Sequence, residues 1–401
     1  MTKMLDFFRL RFPARMPAAS ATAFRVAISG AVLLGAVVSI GGTAMAQVQV
    51  AAKAEGPAHA ALSVAGGKAA AQQGPIGGPV LGYLFDSPTL RMRPLLGIPG
   101  ASYVGDPLPI GFTPQFVEVS PSQEYALGVE AESGDVYLID LRSPLPAARR
   151  LDQATPGADR VFLSPLGKAA ALYHREAKRV ETLTGLPDEP GLLGRIDLAS
   201  VPGMLTALAV SDDGKALAVA ASDGESGSLF IAAPDGDLRL VGPVGRATAL
   251  AFLNDADDLL VADAGRSEIV RIRNFSAGAE WTVLASRQDG IGQPVAVGAT
   301  RDNTAAFAVS ASDRRIARLP LNGAAVSFVD CPCNPTGLDA LAPGSVFRLT
   351  AASDAPLYVL DTRPRNGAVS GEPRILFIPA ADQTPEAGGA VSNGPRGRVR
   401  R

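Results

Sequence analysis

The side chains best suited to chemistry in this chain are few, and their spacing brings none of them into a working set. There are two histidines, His59 and His174, and two cysteines, Cys331 and Cys333. His59 sits in an Ala/Gly-rich stretch that fixes no geometry around it. His174 follows Tyr173 at the end of a short apolar run. A general base or metal ligand there needs a partner, and no second ordered histidine exists to supply one. His174 therefore reads as a turn or surface residue. Cys331 and Cys333 flank Pro332. In an oxidising compartment an even count suggests pairing, and these two are the only intramolecular choice. Residues i and i+2 of an extended strand point the same way, near the upper distance limit for a disulfide. A local disulfide is the first reading; reduced thiols, or a redox or metal role, are the others.

The acidic candidates are Asp212-Asp213, the group Asp255, Asp257 and Asp258, and the recurring Asp86, Asp140 and Asp361. The second group resembles a calcium loop but fails its pattern, because Leu259 stands where a third oxygen ligand belongs and the glycine is missing. Both clusters fall at turns, where aspartate bonds its own backbone. The three recurring aspartates end corresponding strands; they could ring one face and hold a cation, but the same turn preference explains them. Ser120-Pro and Ser164-Pro are also turns. No Gly-x-Ser-x-Gly elbow, phosphate loop or dinucleotide fingerprint occurs. No catalytic, cofactor-binding or metal residue is assigned, no cofactor is implied, and the chain is not read as an enzyme.

These residues are carried by a repeat. Six segments overlay when anchored on Ser120, Ser164, Ser211, Leu253, Thr300 and Ala342, spaced 44, 47, 42, 47 and 42 residues apart. Each anchor joins two short apolar runs, as in Leu205–Val210 and Ala216–Ala220 around Ser211-Asp-Asp-Gly-Lys215. Runs this short joined by Asp-Gly are hairpins, not helices. A second hairpin follows in each unit, for example Ser228–Ala232 with Leu238–Val241 and Leu357–Asp361 with Arg374–Ile378. Four short strands per repeat make a propeller blade; a parallel β-solenoid would use shorter coils without alternating hairpin turns. The expected fold is all-β, a β-propeller of six full four-stranded blades. An extra outer hairpin, Leu81–Asp86 with Arg93–Ile98, precedes them. It is either a degenerate seventh blade or a hairpin packed outside a six-bladed ring.

The expected organisation is a signal peptide over 1–46, an Ala/Gly-rich linker over 47–80, the propeller over 81–379 and a tail over 380–401 that ends in arginines. Five basic residues and one acid precede the uncharged run Val26–Ile40, and Ala44-Met-Ala46 follows it. That layout is a secretory signal with cleavage after Ala46. The run is short for a membrane span, so a retained anchor, and membrane contact through it, is the secondary reading. Export places the protein in the periplasm or outside the cell. The net charge of −2 at pH 7, with the basic residues weighted to the N-terminus, excludes the electrostatic footprint of a nucleic-acid binder.

Ser211-Asp-Asp-Gly-Lys-Ala-Leu-Ala-Val-Ala220, repeated more loosely elsewhere, resembles the YVTN-type and lactonase-like propeller repeats of exported bacterial proteins. The resemblance covers roughly 112–379 and implies fold, not activity, because the motif builds a turn and the strand after it. The Gly-His and Trp-Asp dipeptides of WD40 repeats are missing, and a single tryptophan, Trp281, is unlike the repeated docking tryptophans of quinoprotein propellers. The leading expectation is an exported, non-enzymatic propeller that binds a protein or other envelope component. The alternative is a lactonase-like hydrolase working from the central channel, which would need converging carboxylates or a histidine there. A redox or cofactor-binding propeller is a third.

Overall fold

The computed structural model describes residues 78–379, apart from 225, 235, 255–256, 343–344, 353–355 and 364–371. The expected signal peptide, its Ala46 cleavage site, His59, residues 47–77 of the linker and the 380–401 tail lie outside the described residues. Within them the fold is seven antiparallel sheets, each a meander of consecutive strands. Blade 1 has three strands, Val80–Asp86, Arg91–Ile98 and Ala101–Val104; blades 2 to 7 have four each and span 114–150, 160–197, 204–244, 247–285, 294–330 and 339–378. The only described helix is the 3₁₀ turn Arg287–Asp289.

The anchor residue of each repeat explains the inner hairpins. Ser120, Ser164, Ser211 and Thr300 each accept a backbone hydrogen bond from the residue three positions on, at 2.9 Å in all four. That residue has a left-handed backbone: Gln123 (φ 63°), Gly167 (70°), Gly214 (71°) and Asn303 (54°). Glycine and asparagine are the residues that tolerate this conformation. The anchor hydroxyl then accepts the N–H five residues on, as in Ala169 to Ser164 (3.0 Å) and Ala216 to Ser211 (2.9 Å). A hydroxyl and a left-handed residue three apart thus close a tight turn between the first and second strands.

Seven apolar clusters hold the blades together, and each straddles one pair of neighbours. Blades 4 and 5, for instance, share Ala218, Ala220 and Leu229 with Phe252, Leu259 and Ile272. Two clusters flank blade 1: Leu81, Leu84 and Leu95 pack with Leu341, Val346 and Val359 of blade 7, and Met92 packs with Val117, Ala126 and Ile139 of blade 2. Burying both faces of every sheet is what stabilises such a ring, because no single blade covers its own apolar surface. Among the described residues no sheet combines strands of blade 1 and blade 7, so blade 1 joins the ring there through side-chain packing.

Of the two readings of the hairpin the seventh blade is the one found, and the six-bladed ring with an outside hairpin is corrected. The hairpin gains a third strand and forms the seventh blade. It does not pack on the outside, because Leu84 and Leu95 on one face and Met92 on the other are all buried, and an external hairpin would leave one of those faces in water. Its first strand contacts the inner strands of both blade 2 and blade 7.

Candidate functional site

The inner strands of blades 2 to 7 enclose a central cavity of about 690 Å³. Each inner strand enters from the same face, since every blade is an antiparallel meander. Two consecutive columns of the repeat supply the wall. Three residues before each anchor stand Val161, Leu208, Leu250, Val297 and Asp339; two before stand Glu118, Phe162, Ala209, Ala251, Gly298 and Ala340. The blade 4–6 side is mostly apolar, with the small residues Ala209, Ala251, Gly298 and Ala299 set among Leu208, Leu250 and Phe252. The side formed by blades 2, 3 and 7 carries Phe116, Glu118, Asp159, Arg160, Phe162 and Asp339, while Arg301 comes from the turn that follows the inner strand of blade 6.

No residue of blade 1 lines the cavity. Its first strand packs between the inner strands of blades 2 and 7, which are linked beside it. Gln123, in the first turn of blade 2, pins this seam. Its amide nitrogen donates to the carbonyl oxygens of Ala340 (2.6 Å) and Ser120 (3.1 Å), and its amide oxygen accepts the Tyr83 N–H (2.8 Å). One side chain therefore joins blades 2, 7 and 1. Gly82 makes the approach possible: a Cβ there would come within 3.0 Å of the Leu341 carbonyl oxygen and 2.9 Å of Gln123 Oε1. The three blades lock together at this point.

The seam also brings two carboxyl groups together. Glu118 of blade 2 and Asp339 of blade 7 are 221 residues apart in the chain and interact electrostatically in the cavity wall. Arg348, the cross-strand neighbour of Asp339, reaches it at 2.5 Å and also donates to the Thr350 carbonyl oxygen at 3.1 Å. Glu118 accepts no hydrogen bond among the described residues; it is half-buried and lines the cavity. Burial, reinforced by the Asp339 charge and only partly offset by Arg348, pushes its carboxyl up to about 8. Sequence reasoning missed this residue. The signal was a charge in an apolar column, where the aligned repeats hold Phe162, Ala209, Ala251, Gly298 and Ala340.

The residues singled out from sequence lie elsewhere. His174 is not a surface residue. It ends the second strand of blade 3, is 5% exposed, and its Nε2 has no hydrogen-bond partner. Glu181 lies 3.9 Å from it, fully buried. Burial lowers His174 below the ordinary histidine range. Burial alone would raise Glu181, but hydrogen bonds from Thr155 Oγ1 (2.5 Å), the Thr155 N–H (2.9 Å) and Arg195 (2.9 Å) outweigh it and hold the carboxylate below its usual range. This buried cluster is separate from the cavity. Cys331 and Cys333 are bonded, with Cα atoms 5.0 Å apart, inside the cluster between blades 6 and 7.

The aspartates are structural. Asp86, Asp140 and Asp361 pair with Arg93 (3.1 Å), Arg142 (2.6 Å) and Arg374 (2.8 Å). Asp213 accepts from Ser211 Oγ (2.6 Å) and the Lys215 N–H (3.0 Å) inside its turn. Asp212 reaches across to the next blade and accepts the Leu166 N–H at 2.7 Å. Asp258 pairs with Arg271, and Asp257 accepts from Ser276 Oγ; Asp255 lies outside the described residues.

No family profile matches the chain, and no curated protein matches it. Solved structures do. A protein from Lactobacillus plantarum superposes with a TM-score of 0.51 at 11% identity, over 74% of this chain and 95% of that one. A candidate 6-phosphogluconolactonase from Bacteroides uniformis gives 0.51 at 13%, with the same coverage. A streptogramin B lyase structure gives 0.48 at 14%, over 67% of this chain and 84% of that one. At these identities the likeness is one of fold alone: the chain is a β-propeller.

Proposed function

We propose that this chain is an exported, non-enzymatic propeller that binds a component of the cell envelope in its central cavity. The observation that carries the reading is the cavity itself. Its volume falls in the range of small-molecule sites, and its wall is apolar over most of its area with a few polar groups set into it. Export is supported by the basic, apolar and small-residue order of residues 1–46. The test compares the wild type with Ala251→Leu, which fills the lumen. Envelope extract fractions are screened for thermal stabilisation, and the bound species is identified by mass spectrometry. A component that stabilises the wild type and not the variant supports the reading. Equal stabilisation of both, or none of either, refutes it.

One observation favours a second, hydrolytic reading. Glu118 is a carboxyl held near the pH where it can both give and take a proton, as a general acid–base group must. No histidine or cysteine stands among the described residues that line the cavity. Turnover of a lactone by the wild type, abolished in Glu118→Gln, would establish that reading over the first.

A further inference from the structure

We infer that the connector between blades 2 and 3, residues 151–159, is a strap latched to two buried side chains of blade 3, Glu181 and His174, and that acid opens it while the blades stay folded. The device does not depend on what the cavity binds.

The latch lies in the hydrogen bonds. Glu181 is fully buried and accepts the Thr155 N–H (2.9 Å) on one oxygen and the Thr155 hydroxyl (2.5 Å) on the other. Arg195 donates to it from the outer strand of blade 3 at 2.9 Å. The His174 ring reaches the Gly157 backbone. On its far side the strap is tied to blade 2 by the Gly157 N–H, which donates to the Gly134 carbonyl oxygen at 2.9 Å. Beneath it Leu151, Ala154 and Ala158 join the apolar cluster of blades 2 and 3. Two of those three side chains are single methyl groups, and burying so little apolar surface holds a segment weakly. The strap therefore leans on its polar bonds. Its last residue, Asp159, and the next, Arg160, line the central cavity.

Neither latch group takes up a proton without loss while the strap is closed. The Glu181 oxygens serve three donors, and a protonated carboxyl would aim a hydrogen at one of them. His174 Nε2 has no hydrogen-bond partner, and its nearest carboxylate oxygen, on Glu181, is 3.9 Å away. That is too far for an imidazolium to donate to it. Burial and the Arg179 guanidinium disfavour charge on His174, while Glu181 and Asp159 only partly offset them. Arg179 also stands 3.6 Å from Glu181. The other charged groups around the latch are engaged or in water. Asp159 accepts the Arg175 N–H (2.6 Å), Asp135 and Asp152 of the blade 2 side both pair with Arg150, and Glu130 accepts from Ser133. Arg175, Glu176 and Lys178, in the turn after His174, are exposed.

Opening the strap admits water to both groups and returns them to their ordinary ranges. Closed, both titrate lower: His174 through burial, and Glu181 because the bonds it accepts outweigh its burial. The open form therefore binds more protons, and it is favoured as pH falls, first through the histidine range and then through the carboxylate range. Two groups acting in the same direction make the response steep.

The experiment is hydrogen exchange read by mass spectrometry on the whole protein at pH 7 and about pH 4.5, with rates corrected for the intrinsic effect of pH. Peptides covering 151–159 report the strap, and peptides covering the second strand of blade 3, Ala169–His174, report the blade. The inference expects strap protection to fall at least tenfold at the lower pH while the blade keeps its own within about twofold. It expects Glu181→Gln with His174→Gln, which cannot titrate, to lose that pH dependence; circular dichroism checks that this variant is folded, and the wild-type comparison decides if it is not. A strap equally protected at both pH values overturns the inference. So does a strap that opens only together with the blade, or an undiminished pH response in the folded variant.

Discussion

Gln123 offers the sharpest test of how this ring closes. It occupies the left-handed position of the repeat turn, where the corresponding residues are Gly167, Gly214 and Asn303. A glutamine there carries a local penalty of about 1–2 kcal/mol, which a glycine would avoid. The structure explains why it stands there: its amide makes three hydrogen bonds that join blades 1, 2 and 7. Gln123→Ala keeps the backbone penalty and removes all three bonds, leaving the Tyr83 N–H and the Ala340 carbonyl without that partner. Each part-buried group left unpaired costs about 1–3 kcal/mol. Water reaching the seam will recover some of this, so the expected loss is about 2–4 kcal/mol. Gln123→Gly loses the same bonds but relieves the backbone, and should be about 1 kcal/mol more stable than the alanine variant. Equilibrium urea denaturation of the three proteins measures both differences. Hydrogen exchange at the Tyr83 amide should rise in both variants. A change under about 0.5 kcal/mol for Gln123→Ala would show that the amide does not hold the seam, and an alanine variant as stable as the glycine variant would refute the strain argument.

Three further outcomes follow from the titrating groups and the cysteines. Glu118 holds its proton more firmly folded than unfolded, so it makes stability fall as pH rises from about 4.5 to about 8 and then level off. Glu118→Gln should flatten that slope; an unchanged stability–pH curve would place the carboxyl in ordinary solvent. His174 and Glu181 act in the opposite direction, both titrating lower in the fold than outside it. Acidification below the unfolded histidine range first loads the unfolded chain with a proton, and further acid then removes the Glu181 carboxylate, so stability is lost as pH falls. His174→Gln should remove the upper part of that loss, and Glu181→Ala should cost about 1–3 kcal/mol at neutral pH by leaving the Thr155 N–H and hydroxyl without their acceptor; a loss under about 0.5 kcal/mol would mean the cluster contributes little. Reducing Cys331–Cys333 should add two hydrogens to the intact mass yet cost at most about 1.6 kcal/mol, because the closed loop spans three residues. Unfolding on reduction would contradict this.

The sequence by itself determined the blades. Strand pairs such as Met204–Val210 with Leu217–Ser222 were legible because their signals are local: short apolar runs, a left-handed turn residue at Gly214, and the hydroxyl anchor Ser211 three positions before it. What the seventh blade does was not legible, because the short strand Ala101–Val104 carries no repeat signal and the hairpin before it only makes sense once Leu84, Leu95 and Met92 have neighbours to bury against. His174 misled for the same reason: a polar residue at a strand end looks like a turn until Glu181 and Thr155 are folded over it. The cavity site lay furthest out of reach. Glu118 could have been seen as a charge in an apolar column, but its partner is a residue at the other end of the chain. Only ring closure brings the two carboxyls into one apolar wall, and only there does burial change what Glu118 can do.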